Sequence, residues 1–222
     1  MAKRIQAPLF ACMGCAVAFV ALVVAAYKLG PVERLDASLL ARISTPEEAR
    51  SHYIGSALAH LADPLPLIVM LAAIVALALL AGRRREALVA AAVVVVANVT
   101  TQVLKAVLAH PRYQSYLGPH QPWSTAFPSG HTTAAASIAV ALLLAAPRRL
   151  RTPAGAVGVA LAAVVAISVV VIKWHYPSDV VGGLLVASGW GFATVAALRV
   201  AEPHRARVGK GQAPSRFAIS VK

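Results

Sequence analysis

Apolar runs of about 17 to 25 residues, rich in Ala, Val and Leu, recur along this chain between short clusters of Arg and Pro. A run of that length crosses the hydrocarbon core of a bilayer as an α-helix, because in lipid each backbone polar group must be bonded within its own segment. Segments of a barrel would alternate in polarity, and these do not. With 59% hydrophobic residues, 13% charged residues and a mean hydropathy of +0.72, a chain of 222 residues is too apolar for a soluble domain. The expected fold is all-α: a polytopic membrane protein forming a six-transmembrane-helix bundle, with spans near 9–29, 64–82, 87–108, 129–146, 154–174 and 178–198.

The formal net charge of +13 sits between the spans, so membrane topology accounts for it without a nucleic-acid partner. Lys3 and Arg4 form one basic group, Arg83, Arg84 and Arg85 a second, and Arg148, Arg149 and Arg151 a third. Arg199, Arg205, Arg207, Lys210 and Arg216 close the chain. By the positive-inside rule these groups and both termini are cytoplasmic, which turns 30–63, 109–128 and 175–177 outward in a multi-pass protein of the inner (plasma) membrane. Glu33, Asp36, Glu47, Glu48 and Asp63 all fall in the first outward segment, in agreement. The whole chain, 1–222, then reads as one integral membrane domain with a basic cytoplasmic tail at 199–222.

Near the N-terminus, Lys3 and Arg4 followed by an apolar run and VVAA at 23–26 have the form of a secretory signal, but the length of the run favours an uncleaved first helix. Cys12 and Cys15 read as small buried apolar residues, since the sequence nearby offers no further soft ligands for a metal. In the outward segment 30–63, Val32, Leu35, Leu39, Leu40 and Ile43 have helical spacing with charges between them. That pattern suits a helix lying in the membrane interface or one packed over the outer ends of the bundle. His52 and His60 read as surface or packing histidines.

An ionisable residue inside a span is costly and marks function by default. Lys105, Arg112, His131, Lys173, His175 and Asp179 all fall at the outward ends of their spans, at one depth. Pro128 and Pro177 suit first helical turns there, where a missing N–H costs nothing, so spans four and six start with free N–H groups facing outward. Ser129 as a capping hydroxyl and Gly130 with its accessible backbone make the start of span four an anion cradle, to which Lys105 and Arg112 add full positive charge. Two histidines beside an anion site suggest phosphoryl transfer. Asp179, four residues after His175, can fix that imidazole's tautomer and stabilise the cation formed when it attacks, while His131 protonates the leaving oxygen.

These residues resemble the type 2 phosphatidic acid phosphatase superfamily, whose signature is K-x6-R-P, then P-S-G-H, then S-R-x5-H-x3-D. This chain has KAVLAHPR at 105–112, PSGH at 128–131 and SVVVIKWHYPSD at 168–179, within a motif core of about 64–198. The resemblance implies a metal-independent, cofactor-free dephosphorylation through a phosphohistidine. By position, His175 is the nucleophile, Asp179 its orienting partner and His131 the general acid, with Lys105, Arg112, Ser129 and the Gly130 backbone on the phosphate. Soluble vanadium haloperoxidases share the motif logic.

The chain departs from the pattern at two positions. Tyr113 stands where the first motif has proline, and Val169 where the third has arginine. Lys173, four residues after Val169 and so on the same face of a continuous helix, either replaces the missing cation on the phosphate or snorkels to the interface. Tyr113, Tyr116, Trp123 and Phe127 give the outer loop aromatic residues at headgroup level, and His120 lies among them. The expected substrate has an anchored tail and a phosphate head: phosphatidic acid, phosphatidylglycerol phosphate or a polyprenyl diphosphate. A phosphotransferase using the same phosphohistidine is one alternative. A non-catalytic lipid-binding or transport bundle, suggested by Val169, is the other. Partners are membrane lipids and the lipid phosphate, and the oligomeric state is open.

Overall fold

The computed structural model describes residues 2–46, 49–112, 114, 117 and 121–211. Glu47, Glu48, Tyr113, Tyr116, His120 and Arg216 lie outside the described residues, as do the side chains of Lys3, Arg4, Arg205, Arg207 and Lys210. Among the described residues the fold is all helical. It comprises α1 (Ala2–Lys28), α2 (Gly30–Ile43), α3 (Arg50–Ala59), a 3-10 turn at His60–Ala62, α4 (Pro64–Leu80), α5 (Arg84–Val107), α6 (Gly130–Ala145), a second 3-10 turn at Arg148–Leu150, α7 (Arg151–Val171) and α8 (Pro177–Gly211).

Among the described residues, four segments are long and apolar enough to cross a membrane: Ile5–Lys28, Arg84–Val107, Arg148–Val171 and Pro177–Ala201. A fifth is possible if α4 is taken together with α3 and its turn, a pair bent by 51° at Asp63. The remaining apolar helix, α6, has 16 residues and is therefore about 24 Å long, short of a full crossing on its own. Its environment explains why it can be short and polar: α6 packs against α4, α5, α7 and α8, and most of its residues are buried in protein rather than lipid.

Small residues allow this enclosure. A Cβ on Gly158 would lie 2.6 Å from Ala139 Cα, so α7 touches the α6 backbone there. A Cβ on Gly183 would lie 2.6 Å from the Ser129 carbonyl oxygen, which brings α8 equally close to the start of α6. Polar side chains in the seams find partners: Thr101 donates to Thr133 at 3.0 Å and Asn98 to Ser137 at 3.2 Å across α5 and α6. At the far end of the bundle the Arg83 guanidinium binds the Ala145 carbonyl at the end of α6, and Arg85 donates to the Leu198 carbonyl at 3.4 Å.

Helix α2 packs over the bundle rather than only lying beside it. Asp36, Ala37 and Leu40 are buried, with Leu40 in a cluster formed by Leu117, Val170 and Tyr176, while Leu35, Leu39 and Ile43 stay exposed on the other face. One expectation at the start of α6 changes. Ser129 caps the helix as expected, but the helix begins at Gly130, so Pro128 precedes the cap instead of filling the first turn. Pro177 does open α8.

Candidate active site

The end of α7 aims the first histidine. Its last carbonyls are closed by a Schellman turn in which Lys173 N–H donates to Val170 O at 3.0 Å and Trp174 N–H to Val169 O at 3.0 Å. His175 N–H shares the Val169 carbonyl at 3.1 Å. Lys173 takes the left-handed position of this turn, with φ 59, where glycine is the usual occupant. The turn presents Trp174 and His175 to the cavity and hands over to Pro177 at the start of α8.

Asp179 lies in the first turn of α8, fully buried at 0% exposure. Its Oδ2 accepts the Tyr176 N–H at 2.9 Å and stands 3.5 Å from His175 Nδ1, within ion-pair range but without hydrogen-bond geometry. The side of the imidazole that faces the carboxylate is therefore Nδ1, and Nε2 is left at the opposite edge. The Asp179 carbonyl accepts the Ser129 N–H at 2.9 Å, tying the starts of α6 and α8 together.

His131 follows in the first turn of α6. Its ring packs 5.3 Å from Trp174 and 6.1 Å from His175, centroid to centroid, and its Nε2 is 3.1 Å from Asp63 Oδ1. Lys105 arrives from the last turn of α5: its Cε and Nζ lie 3.6 and 3.7 Å from where a Cβ on Gly130 would stand. A methyl at 130 would therefore sit in ordinary van der Waals contact with the end of the lysine. Lys105, His131 and His175 line one cavity of about 210 Å³ together with Trp123, Thr125, Ala126 and Trp174. Trp123, 83% exposed, stands at its rim.

The other expected phosphate ligands occupy different positions. The Ser129 hydroxyl is buried and used as the helix cap, accepting from Thr132 N at 3.3 Å and from the Thr132 hydroxyl at 3.0 Å. Arg112 is only 7% exposed and is turned away from the cavity. Nη1 donates to Asp36 Oδ2 at 2.9 Å and to Ser178 Oγ at 2.8 Å, Nη2 binds Asp179 Oδ1, and the guanidinium stacks 4.2 Å from the Tyr176 ring centroid. Burial acts against its charge, and the two carboxylates more than restore it, so Arg112 is held as a cation. Its place is behind Asp179. Lys173 does not line the cavity either. Because α7 ends at Val171 and Lys173 is left-handed, the helical-face relation to Val169 does not extend to it. Val169 is 0% exposed, packed with Ala135, Ala162, Val165 and Ile172.

Two residues escaped the sequence reading. Asp36 counted there only as an outward acidic residue, yet it accepts from Arg112, from Ser178 N at 2.9 Å and from Ser178 Oγ at 2.6 Å. Asp63 counted the same way, yet it bridges His131 and His60, the latter through Nδ1 at 2.8 Å. A signal was present for Asp63: like the YPSD that carries Asp179, it sits beside a proline that opens a span.

Two histidines and a lysine thus line one cavity of a helical membrane bundle, with a buried carboxylate behind one of the histidines. The chain belongs to the PAP2 superfamily, whose family model matches residues 86–202. Its fold is similar to that of the first transmembrane PAP2 type phosphatidylglycerolphosphate phosphatase from Bacillus subtilis, with a TM-score of 0.74 at 19% identity over 86% of this chain and 97% of that one. No curated protein matches the sequence.

Proposed function

We propose that this protein is a lipid phosphate phosphatase that removes a phosphoryl group at the extracytoplasmic membrane face through a phosphohistidine on His175. The observation that carries the reading is the convergence of Lys105, His131 and His175 on one cavity, with Asp179 at Nδ1 of His175. A phosphate seated there meets the Lys105 ammonium and the Nε2 edge of His175. Asp179 holds the ring and stabilises the positive charge that develops on it when Nε2 attacks phosphorus. His131 gives a proton to the departing oxygen and later takes one from the water that opens the phosphohistidine, so the enzyme returns to its starting state.

In the bilayer, α1, α4, α5, α6, α7 and α8 serve as the six spans, with α6 shielded by its neighbours and the arginine groups at the end opposite the cavity. Both termini are then cytoplasmic. An apolar groove of about 310 Å³ between α1, α5 and α8, lined by Phe19, Leu104 and Trp190 among others, supports a substrate with a hydrocarbon tail, because Leu104 adjoins Lys105. The substrate class is a phosphomonoester or diphosphate of a lipid, as in phosphatidic acid, phosphatidylglycerol phosphate or a polyprenyl diphosphate.

The test is phosphate release by purified protein from these lipids without added metal, comparing wild type with His175→Ala and His131→Ala. Loss of release in His175→Ala together with a 32P-labelled, acid-labile protein adduct in the wild type is the expected result. Equal release by wild type and His175→Ala removes the nucleophile assignment, and strict magnesium dependence removes the metal-free route.

A further inference from the structure

His131, the expected general acid, shares a carboxylate with a second histidine. Asp63 occupies the break between the turn His60–Ala62 and α4, where the two helical segments meet at 51°. One of its oxygens is 3.1 Å from His131 Nε2 and the other 2.8 Å from His60 Nδ1. Trp174 lies between the two rings, 5.3 Å from each by centroid. The carboxylate is therefore fixed from both sides, and the indole it spans lines the reaction cavity.

We propose that Asp63 is a positioning residue for His131, setting the tautomer and the acidity of the proton donor, with His60 bracing the carboxylate. The inference rests on the phosphatase reading above. With Nε2–H directed at Asp63, the nitrogen left for the substrate is Nδ1. In the acid form both nitrogens carry protons: Nε2–H is held by Asp63, and Nδ1–H passes to the leaving oxygen as its bond to phosphorus breaks. His131 is then neutral with its remaining proton on Nε2. It regains a proton on Nδ1 from the water whose oxygen bonds to phosphorus as the phosphorus–nitrogen bond to His175 breaks. No proton is gained or lost over the cycle.

The charges around His131 give Asp63 a task. Lys105 from α5 and His175 beyond α7 are the other titratable groups facing the ring, and positive charge on either disfavours an imidazolium. Among the described residues, Asp63 is the carboxylate in contact with it, braced by His60. The carboxylate–imidazole pairing parallels Asp179 and His175: each histidine has its own aspartate at the start of a proline-initiated helix, within hydrogen-bond distance at His131 and ion-pair range at His175. The two aspartates differ in task. Asp179 supports a nucleophile that becomes positive on attack, whereas Asp63 supports a donor that is positive before it acts.

The test exploits the leaving group. An alkyl phosphate needs a proton on its departing oxygen and p-nitrophenyl phosphate does not, so a donor defect appears as a change in the ratio of the two turnover rates. For purified full-length Asp63→Asn we expect the alkyl-to-nitrophenyl kcat ratio to fall at least ~10-fold and the alkaline limb of the kcat profile to move to lower pH, since the imidazolium has lost its anion. His60→Gln should shift both in the same direction by less. In a His131→Ala background, adding Asp63→Asn should leave the ratio where His131→Ala alone puts it. An unchanged ratio in Asp63→Asn, or a further fall in the double variant, overturns the proposal. If Asp63→Asn does not fold, Asp63→Glu replaces it, where retention of the wild-type ratio supports a charge requirement and an unshifted alkaline limb with a collapsed ratio refutes it. Failure of the phosphatase reading itself is distinct: His175→Ala would then match wild type on both substrates.

Discussion

Arg112 donates to Asp36 at 2.9 Å, and through this contact a helix outside the matched family region reaches the carboxylate behind His175. Asp36 and Asp179 bind opposite arms of one guanidinium, with both Arg112 and Asp36 almost wholly removed from solvent. Breaking a buried pair by removing one partner costs about 3–5 kcal/mol, because the remaining charge keeps its desolvation without its compensation. Asp36→Ala is expected to lower stability at the low end of that range, Asp179 being left to share the charge, with activity falling as Asp179 loosens. Thermal unfolding in detergent together with kcat on a lipid phosphate checks both effects. Unaltered unfolding would show that Arg112 is held by Asp179 and Ser178 alone.

At Lys173 the conformation, rather than the charge, has the readable consequence. A non-glycine residue in the left-handed region carries a cost of about 1 kcal/mol that glycine escapes. Lys173→Gly is expected to raise the unfolding midpoint and Lys173→Met to leave phosphate release within about twofold, since the charge lies outside the cavity lining. A large loss of activity in Lys173→Met with normal stability would return the lysine to the phosphate.

Reinstating the motif arginine should fail. The Val169 side chain is enclosed by Ala135, Ala162, Val165 and Ile172, so Val169→Arg adds both volume and an unpaired buried charge. The expected cost is on the order of 3 kcal/mol or more. Poor recovery of folded protein by size-exclusion chromatography is the readout, and a well-folded variant with raised activity would contradict it.

Gly183→Ala tests the seam between α6 and α8. The new methyl would meet the Ser129 carbonyl at 2.6 Å and the Thr133 hydroxyl at 3.1 Å, both on a fully buried helix start. Overpacking of this kind costs about 1–3 kcal/mol, and here it also separates Ser129 from Asp179. Stability and kcat should fall together, with KM little changed.

Alkaline titration follows from Tyr176. Burial, the largest cause, pushes its hydroxyl up to about 12 despite the opposing Arg112 charge, while its O–H donates to the Arg112 carbonyl at 2.7 Å. The folded value lies above that of an unfolded tyrosine, about 10, so its contribution is complete below pH ~10 and is lost as pH rises toward 12. Tyr176→Phe should flatten the fall in stability across that interval, measured by chemical unfolding at stepped pH. An identical fall in the variant would assign the transition to other groups.

Much of this arrangement was legible in local spacing. The interval between His175 and Asp179 sets their contact, Ser129 caps its helix as its residue type suggests, and Pro177 opens α8. The apolar runs marked the helices, although α6 proved too short to cross alone and Pro128 fell outside it. What escaped depends on residues distant in the chain. Asp36 meets Arg112 across 76 positions and Asp63 meets His131 across 68, and no periodicity within one helix encodes either meeting. Lys173 escaped for a different reason: a helical wheel assumes the helix continues, and here it stops two residues earlier.

The bond from Ser129 N–H to the Asp179 carbonyl has an implication for how such a protein diversifies. It joins the two helix starts that carry His131 and Asp179 directly, backbone to backbone, so their interval is not set by the long connection from α5 to α6 alone. Within that connection Arg112 is tied to Asp36 and Asp179 and Leu117 packs beside Leu40, whereas Trp123 stands exposed at the cavity rim. On the phosphatase reading, Trp123→Ala is therefore expected to alter the preference among lipid phosphates more than the maximal rate, checked by kcat and KM on each lipid.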